Sequence, residues 1–253
     1  MSPLSMSAIV FGCVLGGTLL GIFLRNRLPE NHLSGATKDV VRLGTGLIGT
    51  IAALVLGLLI ASANSTYQTQ SSQIQQLTAN VIVLDRTLTQ YGSEADLARN
   101  LLRRAVVAMA DGIWRESGSG SRKGEPFAAS GAGLSFYDEI LKLSPRDDIQ
   151  RSLKARTIDG AQDLAKTRLL LFTEAGMTIP MPFLVVLVSW LAIIFASFSL
   201  FADNNATTIG ALGIFALSAS ASIFLILELS QPFSGLMMIS SEQLRNALAP
   251  LGP

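Results

Sequence analysis

The chain has 253 residues and a formal net charge of +1. Hydrophobic residues make up 49% of it, charged residues only 15%, and the mean hydropathy is +0.46, too apolar for an ordinary soluble domain. The charge balance argues against a nucleic-acid partner. The single cysteine excludes an intrachain disulfide framework, and the single histidine leaves no material for a histidine-built metal centre or catalytic dyad within one chain.

Leu4–Leu24 is the first segment with membrane-helix character. Its Gly12, Gly16, Gly17 and Gly21 sit at helical spacing, the pattern that lets lipid-embedded helices approach closely. No Lys or Arg precedes the segment; Arg25 and Arg27 follow it. It therefore reads as a retained helix, not a secretory signal. Cys13, inside this apolar run, reads as a small buried hydrophobe. Residues 25–42, RNRLPENHLSGATKDVVR, form a connector broken at Pro29 and Gly35, with a short helix after Ser34 leading into the next element. His32 is the one candidate pH sensor or anion ligand here, against the simpler reading of an interfacial polar group.

The stretch from Arg42 to Tyr91 organises the chain. Leu43–Ala63, LGTGLIGTIAALVLGLLIASA, spans a bilayer at roughly 20 residues per crossing. No proline interrupts it, and no charge lies between Arg42 and Asp85. The helix has no reason to stop at the membrane surface. Tyr67, Ile74, Leu77, Val81, Leu84 and Leu88 continue the apolar spacing as a heptad-type seam, and Gly92 supplies the stop. Gly49, Ala53, Gly57 and Ala61 recur every fourth residue, a stripe for close helix packing either within one subunit or around an oligomer axis.

Ser93–Trp114 reads as an amphipathic helix with acidic residues in its first turn, presenting Leu97, Leu101, Ala105, Ala108 and Ile113 to the seam. Arg99, Arg103 and Arg104 give it a basic face. Residues 116–135 have the glycine-rich composition of a linker. Their glycines lack the strand and the Lys-Ser/Thr that a phosphate loop requires. Phe136–Leu143 is a short helix ended by Pro145. A further helix opens at Arg146-Asp147-Asp148 and runs to about Ala175, burying Ile149, Leu153, Leu164 and Leu171. The aspartate pair suits a helix start better than a calcium site.

Ile179–Ala202 and Ala206–Leu229 are two more membrane segments, joined by a tight turn at Asp203-Asn204-Asn205. Ser218, Ser220 and Ser222 offer hydrogen bonds between helices. Glu228 closes the last segment, and a short helix is expected at Ser240–Leu248. The predicted architecture is all-α: four transmembrane helices with a helical extramembrane domain between the second and third. Its parts are residues 1–63, 64–178, 179–229 and a membrane-proximal tail, 230–253.

Glu228-Leu-Ser-Gln-Pro232-Phe233-Ser-Gly235 resembles the acidic residue and Pro-Phe-Gly turn that follow the last membrane helix of bestrophins. With LPENHLSGATKDVVRLGTGLIGTIAALVLGLL, LTANVIVLDRTLTQYG and IPMPFLVVLVSWLAIIFASFSLF, the whole chain resembles the bestrophin-like family of bacterial membrane proteins. That resemblance implies a homo-oligomeric anion channel in the bacterial inner membrane, with the second membrane helix at the pore. Two departures stand out. Leu236-Met237-Met238-Ile239 replaces the clustered aspartates of calcium-gated bestrophins, so no metal site is expected. Aliphatic Ile51, Leu54, Val55 and Leu58 replace the aromatic neck.

These four residues, continued by Ser62, Ser65 and Thr69, are the pore or constriction candidates. An aliphatic ring gates by dewetting, and hydroxyl groups replace water around an ion without trapping it. The competing reading is a non-conducting oligomeric scaffold or sensor whose helical domain binds a protein. Neither reading needs an enzyme's residues or a cofactor, and no triad or phosphate-loop motif is present to supply chemistry. Arg25, Arg27, Lys38 and Arg42 place the connector in the cytoplasm by the positive-inside rule and the helical domain in the periplasm; the bestrophin resemblance implies the reverse. The charge rule is preferred because Arg25 and Arg27 abut the first helix.

Overall fold

The computed structural model describes residues 2–29, 35–118, 131–174, 179–202 and 205–247. His32, most of the 116–135 linker, Asp203-Asn204 and the end of the tail lie outside the described residues. Most of the described residues form α-helices, in the order α1 (Pro3–Arg27), α2 (Gly35–Tyr91), α3 (Asp96–Gly118), α4 (Gly131–Lys142), α5 (Asp148–Glu174), α6 (Met181–Phe201), α7 (Ala206–Leu229) and α8 (Glu242–Asn246), with short segments that are not α-helical described between some of them. Four of them, α1, α2, α6 and α7, are long and apolar enough to cross a membrane. The chain forms two compact units, Met1–Thr66 with Thr178–Ser230, and Tyr67–Met177 with Gln231–Pro253.

In the first unit the helix starts follow from their caps. Ser2 Oγ accepts the Ser5 N–H at 3.2 Å with Pro3 at the first helical position, and Asn205 Oδ1 accepts the Thr208 N–H at 2.8 Å. Helix α1 extends beyond Leu24 to Arg27, whose charge with that of Arg25 complements the helix C-terminus. Helix α2 already begins at Gly35, so the short connector helix and the membrane helix are one.

Helix α1 packs on α6 and α7. Against α6 it uses glycine. A Cβ on Gly17 would lie 2.5 Å from the Ala192 carbonyl oxygen, and one on Gly21 would lie 2.2 Å from that of Ala196. The other half of the α1 ladder is unused among the described residues, with nothing there within 4 Å of such an atom on Gly12 or Gly16. Against α7, Ser220 Oγ donates to the Ser7 carbonyl at 2.8 Å, and Ser7 Oγ donates to that of Ser220 at 3.1 Å. Of the three α7 serines, Ser222 instead bonds the Ser218 carbonyl of its own helix. Cys13 is exposed, contrary to expectation, because α1 buries the side carrying Val10, Val14, Thr18 and Gly21. Exposed Leu19, Phe23, Val185, Ile214 and Leu217 give this unit an apolar exterior of the kind lipid requires.

In the second unit α2 supplies the seam. Ile74, Leu77, Val81, Leu84 and Leu88 are at most 1% exposed. The helix ends at Tyr91, and Gly92 takes φ 115°, a conformation that side chains disfavour. Ser93–Ala95 is a 3₁₀ turn, so α3 starts at Asp96 and not Ser93. The buried face of α3 is Ala98, Leu102, Ala105, Val106, Met109, Ala110 and Ile113. Leu97 and Ala108, expected inside, are exposed.

Asp85 is buried and accepts from Arg99 Nε at 2.8 Å. At the start of α5, Gln150 N–H donates to Asp147 Oδ1 at 2.7 Å while Gln150 Oε1 accepts the Arg146 N–H at 2.8 Å, a reciprocal cap. Asp148 pairs with Arg151, so both carboxylates serve the helix start. Ile149, in that exposed first turn, is outside the core. Gly160 lets α5 approach α2: a Cβ there would meet Leu84 Cδ2 at 3.0 Å.

Candidate functional site

At about 100° per residue, Thr45, Ile48, Ala52, Leu56, Leu59 and Ala63 share one side of α2, and all six are buried or half-buried in the first unit. The pore candidates lie off that side, spread from its flank to the far side. Ile51 is exposed, Leu54 and Leu58 are each 70% exposed, and Ser62, Ser65 and Thr69 are exposed beyond them. Val55 sits at the margin, half-buried. The helix thus presents an aliphatic strip followed by a hydroxyl strip, with no full charge between Arg42 and Asp85.

The small-residue stripe lies elsewhere on the circumference. Fourth-residue spacing advances about 40° per step, so the stripe winds away from the buried side. A Cβ on Gly49 would lie 4.0 Å from Ile194 Cδ1, at the edge of the intrachain contact. Ala53, Gly57 and Ala61 are exposed, and nothing lies within 4 Å of a Cβ on Gly57. Among the described residues, packing inside the first unit accounts for Gly49 alone.

The second region is the turn after α7. Glu228, in the last helical turn, is 3% exposed, deeper than its place at the end of a segment suggested. In the second unit Pro232 and Phe233 are buried. The Pro232 carbonyl accepts the Ile239 N–H at 2.7 Å, and the Gln231 carbonyl accepts the Ser234 N–H at 3.0 Å. Gly235 takes φ 94°, which a side chain would strain. The turn is fastened to α3: Phe233 meets Trp114 edge to face with centroids 5.8 Å apart, and Trp114 Nε1 donates to the Ile239 carbonyl at 2.8 Å. Arg245 Nη2 reaches Asp111 Oδ1 at 3.4 Å. Sequence reasoning singled out neither Trp114 nor Asp111, since nothing local links them to the turn.

No carboxylate occurs between Leu229 and Ser241. Among the described residues no group of three or more His, Cys, Asp or Glu is placed to hold a metal ion. Tyr91, outside the membrane-crossing segments, is the one described group with a clear titration shift. Burial pushes its phenol up, the Glu94 carboxylate adds to the effect, and the Arg146 guanidinium opposes it.

Four helices long and apolar enough to cross a membrane define an integral membrane protein of the all-helical class. The model of the Bestrophin-like domain matches residues 12–244, and the chain belongs to that family. Solved structures agree on the fold. A crystal structure of a bacterial bestrophin homologue from Klebsiella pneumoniae, carrying a single substitution, is 16% identical with a TM-score of 0.70, over 100% of this chain and 99% of that one. A form of that homologue phased on zinc gives 16% and 0.68 over 95% and 97%. A further crystal structure, described only as a membrane protein, gives 17% and 0.63 over 96% and 98%. No curated protein matches the sequence.

Proposed function

We propose that the protein is an oligomeric bestrophin-like ion channel, conducting small inorganic anions, with α2 lining the pore. The observation that carries this reading is the free side of α2. A membrane-crossing helix exposes Ile51, Leu54 and Leu58, then Ser62 and Ser65, off the side it packs in the first unit, and Thr69 is exposed further along the same helix. Four helices per chain enclose no sizeable pore, so conduction requires several copies around an axis, and the exposed Ala53, Gly57 and Ala61 suit the contact between copies. In this arrangement the helical region 64–178 is an extramembrane domain inserted between the second and third spans of a protein of the bacterial inner membrane.

The test is planar-bilayer recording of the purified protein under anion and cation gradients. Single-channel events with anion reversal potentials are expected. Their absence would leave a non-conducting scaffold or sensor built on the same surfaces. Leu54→Ser or Leu58→Ser should raise the resting current, because a hydroxyl rewets an aliphatic constriction. Unchanged current in both variants removes the pore from this side of α2.

Arg25, Arg27, Lys38 and Arg42 favour a cytoplasmic connector and a periplasmic helical domain. Asp39→Cys and Gln90→Cys, each in a Cys13→Ala background, report this through an impermeant thiol reagent on cells whose outer membrane has been permeabilised. Labelling at Gln90→Cys only is expected. Labelling at Asp39→Cys only reverses the orientation.

A further inference from the structure

The first unit holds a cavity of about 290 Å³ between the start of α2 and the end of α6, unused by the pore reading. Lys38, Arg42 and Thr45 line it from one face of α2, and Ser197, Phe198 and Phe201 line it from the last turn of α6. We propose that this cavity is a binding site for the headgroup of an anionic phospholipid. The inference stands whether or not the protein conducts, since it requires only that these helices cross a membrane.

Three observations carry it. First, the depth is right. Arg42 is the last charged residue before the uncharged run of α2, and α6 ends at Phe201 with a cap at Ala202. The cavity therefore lies where apolar helix gives way to polar chain, the level of lipid phosphates. Second, the charge is right. The C-terminus of α6 carries about −0.5 elementary charge, which explains one nearby cation but not two. Lys38 and Arg42 leave the lining net positive, and no acidic side chain lines it among the described residues. Asp203, next in sequence after Ala202, lies outside the described residues.

Third, the shape of the chemistry is right. An arginine fork and a lysine point charge one helical turn apart suit a phosphodiester. Phe198, 51% exposed beside them, offers an apolar surface to an acyl chain. A free phosphate would use the cations but not the phenylalanine.

The experiment is native mass spectrometry of the detergent-purified protein, with thermal stability measured in parallel. Phosphatidylglycerol, phosphatidylcholine and inorganic phosphate are added separately. Phosphatidylglycerol should form a saturable adduct and raise the melting temperature, while the other two should not. Lys38→Ala with Arg42→Ala should weaken phosphatidylglycerol binding about 30-fold, the effect of two surface cations on an anionic headgroup. The exchange Lys38→Arg with Arg42→Lys should retain it, and Arg103→Ala with Arg104→Ala on α3 should leave it unchanged. Should the double alanine variant not fold, Arg42→Gln alone serves, with a loss of about fivefold expected for one cation. Unchanged affinity in the folded variant overturns the site. Equal stabilisation by inorganic phosphate also overturns it, in favour of a soluble anion.

Discussion

Helices α1 and α2 each carry a ladder of small residues, and the two ladders meet opposite fates. In α1, Gly17 and Gly21 lie against the α6 backbone so closely that no Cβ fits. In α2, Ala53, Gly57 and Ala61 are exposed among the described residues of the first unit. The same pattern that closes a contact within one chain is left open in the next helix. A small-residue ladder therefore specifies close approach but not the identity of what approaches.

Substitutions along the two ladders sharpen that contrast. Gly21→Leu should have the largest effect. Its Cβ alone would overlap the Ala196 carbonyl oxygen at 2.2 Å, so α1 must leave α6. Overpacking of this kind costs about 3 kcal/mol or more, and loss of folded, monodisperse protein is expected by thermal unfolding and gel filtration. A variant as stable as the parent would show that α1 and α6 do not pack this way. Gly57→Leu should leave each subunit folded, because among the described residues no other element lies within 4 Å of a Cβ there, yet reduce the oligomer on sizing in detergent. An unchanged oligomer would hand the α2 ladder to lipid. Gly16→Leu is the smallest case. It belongs to the α1 ladder by spacing but has no neighbour within 4 Å, so a change within about 0.5 kcal/mol is expected. A loss as large as that of Gly21→Leu would mean that spacing, not contact, governs the effect.

Helix identity was legible through most of the chain, because long apolar runs and heptad spacing are local signals; residues 116–118 and 131–135, read as linker for their glycines, are helical. The continuity of α2 across Ala63 followed from the lack of any proline or charge, and it is one helix, Gly35–Tyr91. What failed was phase and partnership. The face of α3 was misplaced by one residue: Ala98 and Leu102 are buried where Leu97 and Leu101 were expected, because the sequence carries apolar residues on both tracks. Ile149 matched the apolar period of α5, but a first turn has no preceding turn to shelter it. The Ser7–Ser220 bridge and the seat of the Pro-Phe turn on Trp114 join residues far apart in sequence, and no spacing rule spans such separations. The candidate residues of α2 were legible as a helix face; that this face is free of its own unit required the structure.

The seat of the turn on Trp114 also makes the protein self-reporting. The chain has two tryptophans, Trp190 against the core of the first unit and Trp114 under the turn in the second. Replacing Trp190 by phenylalanine leaves a lone indole whose N–H is held by the Ile239 carbonyl and whose ring abuts Phe233. Its emission colour and quenching by iodide then follow the docking of residues 232–239 directly, without an added dye, while ions, lipids or pH are varied.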